Sequence, residues 1–154
     1  MLVIEVSDPR EAGAKQLLES SHALMAELFS PEENFALDIE DLCTPDIHFF
    51  TAREGGEILG TGAIAAREGY AEVKSMFTSH AARGKGVAAA LLRQLEDQAR
   101  ALGLNALKLE TGEELAAAIR LYERHGFTRC GAFGDYQPNT SSVFMEKQLD
   151  DASA

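Results

Sequence analysis

A strand, a long amphipathic helix and a second strand follow one another between residues 70 and 111, and this unit constrains the fold most. Over residues 82–102 one helical face is apolar, and Gly103 ends the helix; the face comprises Val87, Leu91, Leu92, Leu95 and Ala99. Residues 70–78 and 106–111 form the two strands. Because a helical crossover returns the chain to the end of the sheet at which the first strand began, we expect these strands to be adjacent and parallel.

The other elements predict a mixed α+β fold in which most strand pairs are antiparallel. We predict a strand at 2–6, a helix from Pro9 to about residue 29 capped by Ser7 or Asp8, and a short helix within 30–45. Strands 48–53 and 58–66 form a hairpin through Glu54-Gly55-Gly56. A helix at 113–125 stops at Gly126, and strands 127–133 and 142–147 close the sheet. The prediction is one domain over residues 1–154, with about four helices and one parallel strand pair.

Composition and charge exclude several classes of protein. The chain is 45% hydrophobic and 25% charged, which is typical of a soluble globular protein. Its 14 basic and 25 acidic residues give a net charge of −11, which argues against a nucleic-acid partner. Its apolar stretches are too short to span a bilayer, and no signal segment opens the chain. Cys43 and Cys130 lack metal-ligand spacing, so we expect no metal and, with reduced thiols, a cytoplasmic location.

The segment Arg83-Gly84-Lys85-Gly86-Val87-Ala88 lies between a strand and the long helix. Glycines let the backbone approach a ligand, and the free N–H groups of a first helical turn attract anions, so the segment predicts an anion site. A surface turn is the simpler alternative. A Walker A loop is excluded because Val87 follows Gly86. The dinucleotide pattern of Gly84, Gly86 and Ala89, with Glu110 beyond, remains a minor alternative, although residues 79–83 intervene after the strand.

Two motifs together resemble the GNAT acetyltransferases. Arg83, Gly86 and Ala88 meet the pattern Arg/Gln-x-x-Gly-x-Gly/Ala, and residues 121–127, Leu-Tyr-Glu-Arg-His-Gly-Phe, resemble that family's Leu-Tyr-x-x-x-Gly-Phe segment. The resemblance covers residues 2–148. Three runs further resemble a bacterial subgroup of undefined substrate: residues 109–112, 133–136 and 142–145.

The resemblance implies an acyl-CoA N-acyltransferase fold that binds acetyl-CoA in a gap between two splayed parallel strands. The main-chain N–H groups of Arg83, Gly84, Lys85, Gly86, Val87 and Ala88 would hold the pyrophosphate. The backbone of Met76 and Thr78 would pair with the pantetheine arm, and an N–H near Met76 or Phe77 would face the carbonyl oxygen. The chain departs from the family where Thr78-Ser79-His80 replaces Val-x-Pro and where Leu115 replaces an Asn.

Acetyl transfer to an amine requires a base or a depressed pKa of the substrate amine, because an alkyl amine is neutral in only about one molecule in 10³ at pH 7. The resemblance implies Tyr122 as the acid near the sulfur, with a core aromatic as the alternative. It implies Glu72 as the base, acting through a water, with an exposed strand-end carboxylate as the alternative. Glu110 competes for this role or merely holds Thr111 or a loop in place.

Strand alternation predicts that Lys74 shares a face with Glu72 and Met76. Lys74 would orient Glu72, contact an acidic substrate, or be a solvated lysine. The acceptor walls would come from Asp135, Tyr136 and the loop to Asn139, and from the acids Asp38, Glu40 and Asp41.

These observations predict an N-acetyltransferase that moves an acetyl group to a primary amine of a small molecule or peptide, by direct attack in a ternary complex. One alternative is a catalytically idle acyl-CoA-binding module, and a less favoured one is a dinucleotide-binding oxidoreductase. The resemblance also implies a homodimer through the closing strands.

Overall fold

One seven-stranded sheet organises the computed structural model, which describes residues 1–35 and 37–149. The strands run in the order β1-β2-β3-β4-β5-β7-β6. Their bounds are β1 (Val3–Val6), β2 (Ile47–Glu54), β3 (Glu57–Ala66), β4 (Ala71–Thr78), β5 (Ala106–Gly112), β6 (Thr128–Cys130) and β7 (Ser142–Gln148). Every pair of neighbours is antiparallel except β4 and β5, which are parallel. The predicted fold class is therefore confirmed.

Three α-helices and three short 3₁₀ turns accompany the sheet in the described ranges, in place of about four helices. The helices are α1 (Ala12–Leu28), α2 (Val87–Ala101) and α3 (Ala116–Arg124). The 3₁₀ turns are Pro31–Glu33, Asp41–Cys43 and His80–Ala82. No helix in the part of the chain that the structure describes has the length and apolar character needed to cross a membrane.

The predicted starts of all three helices were too early, for local reasons. The Asp8 carboxylate accepts the N–H of Arg10 in a turn before α1, so it does not cap the helix. Helix α2 starts at Val87 rather than 82 because Gly84 and Gly86 adopt left-handed conformations that a right-handed helix cannot contain. Helix α3 starts at Ala116 rather than 113 because the N–H of residue 113 is donated to the carbonyl of residue 141, beside β7.

The closing strand predicted over 127–133 is shorter than expected. Strand β6 ends at Cys130. Phe133 lies beyond the ladder, and its ring packs against the rings of Tyr136 and Phe144. Gly134, with a φ of +57°, bends the chain at this point. Residues 131–141 therefore form a long connection that reaches over the sheet towards β4.

Helices α2 and α3 pack on one face of the sheet, and α1 packs on the other. The larger core includes Leu91 and Leu95 of α2, Ile119 of α3, and Ile64 and Val73 from the sheet. The smaller core joins residues of α1 to alternate residues of β2 and β3; its members include Ala14, Leu18, Phe49 and Ala63.

Gly60 brings the start of α2 close to the sheet. A Cβ placed on Gly60 would lie 2.6 Å from Cγ1 of Val87, the first residue of α2. A glycine is therefore required there, because any side chain would push the helix away. This contact fixes the start of α2, and with it the glycine loop that precedes it.

Candidate active site

Strands β4 and β5 separate soon after they begin. Their ladder joins only Ala71 to Leu107 and Glu72 to Lys108. A bulge interrupts the pairing of β4 with β3, and Ser75 in this bulge has a φ of +54°. The Thr61 hydroxyl donates to the Ser75 carbonyl at 2.8 Å and holds the bulge in place. The predicted splayed pair is thus present, and its gap opens towards the carboxyl ends of both strands.

The bulge also corrects the predicted facing of β4. Glu72 and Lys74 share one face, but the sulfur of Met76 lies 2.7 Å from the Cβ position of Gly62, among the residues that pack under α2. The extra residue of a bulge reverses the alternation beyond it. Met76 is therefore on the opposite face from Glu72 and Lys74.

The loop at residues 83–86 presents unpaired main-chain donors at the start of α2. Gly84 and Gly86 have φ values of +84° and +78°, and all four loop residues are exposed. Among the described residues, no main-chain acceptor receives the N–H groups of Gly84, Gly86, Val87, Ala88 or Ala89. Several free N–H groups beside the positive end of a helix dipole fit a diphosphate.

Arg83 and Lys85 differ from their neighbours in this loop. Their N–H groups donate to the carbonyls of His80 and Ala82, each at 3.3 Å. Two of the six predicted main-chain donors are therefore already used within the loop. Their exposed side chains remain available as positive charges.

Tyr122 lies on α3 inside the larger core, with 6% of its surface exposed. Its ring packs against Phe127 with a centroid distance of 5.5 Å, and Met76 of β4 packs against the same cluster. Burial raises the pKa of the Tyr122 hydroxyl, so it remains protonated at neutral pH. The side chain packs in the core, and its hydroxyl is protonated in the neutral range.

Glu72 is buried, with 5% of its surface exposed, so the alternative of an exposed strand-end carboxylate is wrong. Its Oε2 accepts a hydrogen bond from the hydroxyl of Tyr136 at 2.6 Å and lies 3.4 Å from Nζ of Lys74. Its Oε1 lies 3.7 Å from Nε of Arg67. A buried carboxylate needs such partners, because burial without them is costly.

Lys74 lies beside it with only 10% of its side chain exposed, so the alternative of a solvated lysine is wrong. Its Nζ donates to the hydroxyl of Tyr136 at 3.0 Å and to the carbonyl of Phe35 at 3.2 Å, besides its contact with Glu72. The ammonium group therefore joins three parts of the chain: β4, the segment after α1, and the β6–β7 connection.

Glu110 lies across the gap on β5, where Ser142 donates to its Oε2 at 2.7 Å. Burial raises the pKa of Glu110, and the hydrogen bond from Ser142 opposes that rise. Glu110 lines a cleft of about 80 Å³, together with Phe29, Phe35 and Leu115. A larger cleft of about 320 Å³ lies beside β1 and is lined by Asp8, Arg10 and His48, away from the predicted site.

Aromatic rings surround Tyr136, on the side of the site that was predicted to hold the acceptor. Tyr136 contacts Phe35, Phe133 and Phe144 at centroid distances of 5.2, 5.2 and 5.6 Å. Two acids of the other predicted wall have partners close to them: Asp38 accepts the N–H of Asp41, and Glu40 forms an ion pair with Arg10. From the segment after α1, the structure brings Phe35 against β4.

Strand alternation predicted Lys74 as a partner of Glu72, but sequence patterns did not reveal the hydroxyl donors to the two carboxylates. Tyr136 was expected in an acceptor wall but not as a hydrogen-bond donor to Glu72, and Ser142 was not expected to bind Glu110. Spacing carries no signal for such contacts, because 64 residues separate Glu72 from Tyr136.

Comparison with known proteins identifies the family. The acetyltransferase (GNAT) family profile matches residues 15–127. The chain belongs to the GNAT acetyltransferase family. It is 43% identical to an IAA acetyltransferase of Azospirillum brasilense over 96% of this chain and 98% of that protein. It is 40% identical to the uncharacterized N-acetyltransferase YsnE of Bacillus subtilis over 86% of this chain and 90% of that one.

Solved structures agree with this assignment. A crystal structure from Klebsiella pneumoniae, of a protein assigned to the acyl-CoA N-acyltransferases, superposes with a TM-score of 0.82 at 34% identity, covering 97% of this chain and 99% of that one. The PaiA N-acetyltransferase of Thermoplasma acidophilum, solved with coenzyme A, superposes with a TM-score of 0.74 over 97% and 99% of the two chains. At 17% identity, this second likeness concerns the fold alone.

This GNAT protein is an acyltransferase of the N-acetyltransferase class, from a family that acts on amines with acetyl-CoA as donor. Neither the idle acyl-CoA-binding module nor the dinucleotide-binding oxidoreductase receives support from these relatives.

Proposed function

We propose that this protein transfers the acetyl group of acetyl-CoA to the primary amine of a small molecule or peptide, by direct attack in a ternary complex. The observation that supports this function most strongly is the position of the free-donor loop relative to the β4–β5 gap. Both belong to the unit from β4 to β5, and Glu72 and Glu110 flank the gap between them.

Main-chain groups of this unit would hold the donor. We assign the diphosphate to the N–H groups of Gly84, Gly86, Val87 and Ala88, with charge from the side chains of Arg83 and Lys85. Beyond Glu72 the ladder between β4 and β5 ends, which supports pairing of the backbone of Met76 and Thr78 with the pantetheine arm. We place the donor to the developing oxyanion at the main chain near Met76 or Phe77.

Two side chains would move protons in the transfer. When bound, acetyl-CoA supplies a thioester whose carbonyl carbon forms the new C–N bond while the C–S bond breaks. Glu72 would take one proton from the amine through a water, and Tyr122 would give one proton to the sulfur, so the protons balance. Burial raises the pKa of Tyr122, which supports its role as the protonated partner.

Glu110 is a second candidate for the base. Burial raises its pKa towards the range in which a general base works best at neutral pH. It also lines the 80 Å³ cleft, whereas Glu72 is enclosed by Tyr136, Lys74 and Arg67.

The matched variants Glu72→Gln and Glu110→Gln separate the two roles. Both keep the side-chain shape and remove the charge. Loss of the base should lower kcat at neutral pH by about 10²- to 10⁴-fold, while the other variant should retain most of the activity. Equal, small effects of both variants would contradict a carboxylate base.

Titration with acetyl-CoA, followed by an amine panel with thiol detection, tests the function itself. The panel should hold small amines, polyamines, amino acids and peptides. It should also include IAA, because the relative from Azospirillum brasilense is named an IAA acetyltransferase. Tyr122→Phe should lower kcat without weakening acetyl-CoA binding. Absence of acetyl-CoA binding would refute the proposal. Acetyl-CoA binding without turnover, with the same affinity in Tyr122→Phe, would favour the idle module.

The homodimer is part of the proposal. Strand β6 is at one edge of the sheet and pairs only with β7 among the described strands, which leaves its outer edge available to a second copy. Light scattering coupled to size exclusion should give twice the mass of the chain; a monomer at all concentrations would contradict it.

A further inference from the structure

Tyr136 is placed so that packing fixes its hydroxyl. Its ring lies among Phe35, Phe133 and Phe144, which come from three separate parts of the chain. Edge-to-face and tilted contacts of this kind restrict the ring on several sides. Only the hydroxyl end of the side chain is polar, and it points at Oε2 of Glu72, 2.6 Å away.

Lys74 closes the arrangement into a triangle. Its Nζ lies 3.0 Å from the Tyr136 hydroxyl and 3.4 Å from Oε2 of Glu72, so it can donate to both. Its third contact, the carbonyl of Phe35 at 3.2 Å, also ties the segment after α1 to β4. All three ammonium protons therefore have an acceptor.

We propose that Tyr136 is a positioning residue that holds the Glu72 carboxylate in a fixed position beside the last pair of the β4–β5 ladder, with Lys74 as the second donor. This inference rests on the proposed function, since Glu72 is there the base. Tyr136 donates to one carboxylate oxygen, Oε2, and so leaves Oε1, which has no hydrogen bond from the described residues, as the oxygen that receives the proton.

The charged and titratable groups around Glu72 come from several elements. They are Arg67 and Tyr70 before β4, Lys74 on β4, Lys108 and Glu110 on β5, and Tyr136 itself. Three of these groups are cations, which suits a carboxylate buried beside them. Burial, and the nearby carboxylate of Glu72, raise the pKa of Tyr136, so it stays an O–H donor throughout the neutral range.

Tyr136→Phe removes the hydroxyl and keeps the ring in its aromatic contacts. Tyr70→Phe is the matched control, because Tyr70 packs against Phe133 in the same cluster. The measurements are kcat, and KM for both substrates, for both variants in wild-type and Glu72→Gln backgrounds. Thermal unfolding and acetyl-CoA titration accompany them.

We expect Tyr136→Phe to lower kcat about 10- to 150-fold, the range for a hydrogen bond to a charged group, with unchanged acetyl-CoA binding. KM for both substrates should change little, because the Tyr136 hydroxyl contacts Glu72 and Lys74. Tyr70→Phe should leave kcat unchanged. In the Glu72→Gln background, Tyr136→Phe should have no further effect, because it acts through Glu72.

An unchanged kcat for Tyr136→Phe, or equal losses in both backgrounds, would overturn the inference even if the wild-type enzyme is active. A wild-type protein without activity on any amine would instead refute the proposed function. If Tyr136→Phe unfolds, Lys74→Gln replaces it in the same cycle, and an effect that persists without Glu72 again overturns the inference.

Discussion

Gly86 and Gly103 stand at opposite ends of α2 and form a matched pair for testing the anion site. Their φ values are +78° and +77°, and a Cβ on either residue would meet nothing within 4 Å. An alanine at either position therefore meets the same strain and no clash. Only Gly86 belongs to the loop with free N–H groups.

The cost to stability should be similar for Gly86→Ala and Gly103→Ala. A side chain in the left-handed region costs roughly 1–2 kcal/mol. For a chain of this size, 1 kcal/mol lowers Tm by about 2–4 °C, so each variant should melt about 2–8 °C lower than wild type. Relief of the strain at Gly86 would turn the following N–H groups away from the loop. Loss of one hydrogen bond to a charged phosphate would then raise Kd for acetyl-CoA about 10- to 150-fold.

Calorimetric titration with acetyl-CoA and thermal unfolding measure the two effects separately. We expect equal losses of Tm, a weakened Kd for Gly86→Ala, and an unchanged Kd for Gly103→Ala. Equal Kd values for both variants would show that the amides at the start of α2 do not hold the ligand, and would refute this assignment of the donor site.

Three further variants test other parts of the structure. Gly60→Ala should destabilise the fold by about 1–3 kcal/mol in denaturant unfolding, because its Cβ would lie 2.6 Å from Val87; unchanged stability would contradict the close packing of α2 on β3. Tyr122→Phe should lower kcat equally from pH 6 to 9, since burial raises the pKa of that hydroxyl and it stays protonated there; a loss confined to one end of this range would contradict it. Burial also raises the pKa of Glu110, so the folded protein keeps that proton to higher pH than the unfolded chain and loses stability as pH rises through this interval. Glu110→Gln should therefore have a higher Tm than wild type at pH 8, with a difference that shrinks towards pH 4; a difference independent of pH would contradict the burial argument.

Periodicity was sufficient to predict the elements and their order, because the core-facing residues repeat along α2 and alternate along the strands. The predicted helix boundaries were wrong where local backbone conformation overrides this pattern. Gly84 and Gly86 delay α2, and the turn at Asp8 delays α1. Phe133 looks like a strand residue in sequence, but its carbonyl accepts the N–H of Tyr136 in a turn, and its ring packs against Tyr136 and Phe144.

The site was predictable only in part, and for a related reason. The glycine loop is local, so its residues could be named from their order. One partner of Glu72 is not local: Arg67 and Lys74 are near in sequence, but Tyr136 is 64 residues away and its approach depends on the path of the β6–β7 connection. The splay of β4 and β5 was expected from the family resemblance, because alternation by itself predicts a continuous ladder.

The bulge at Ser75 would allow one strand to contact both substrates of the proposed reaction. In a regular strand, Met76 would lie on the same face as Glu72 and Lys74. The bulge turns Met76 to the face under α2, where the donor loop begins, and leaves Glu72 and Lys74 on the face that meets Phe35 and Tyr136. It lies beyond Glu72, the last residue of β4 that pairs with β5, so the change of face occurs where the gap is already open. In the proposed function, the backbone of β4 would therefore direct one face to the donor and the other to the acceptor.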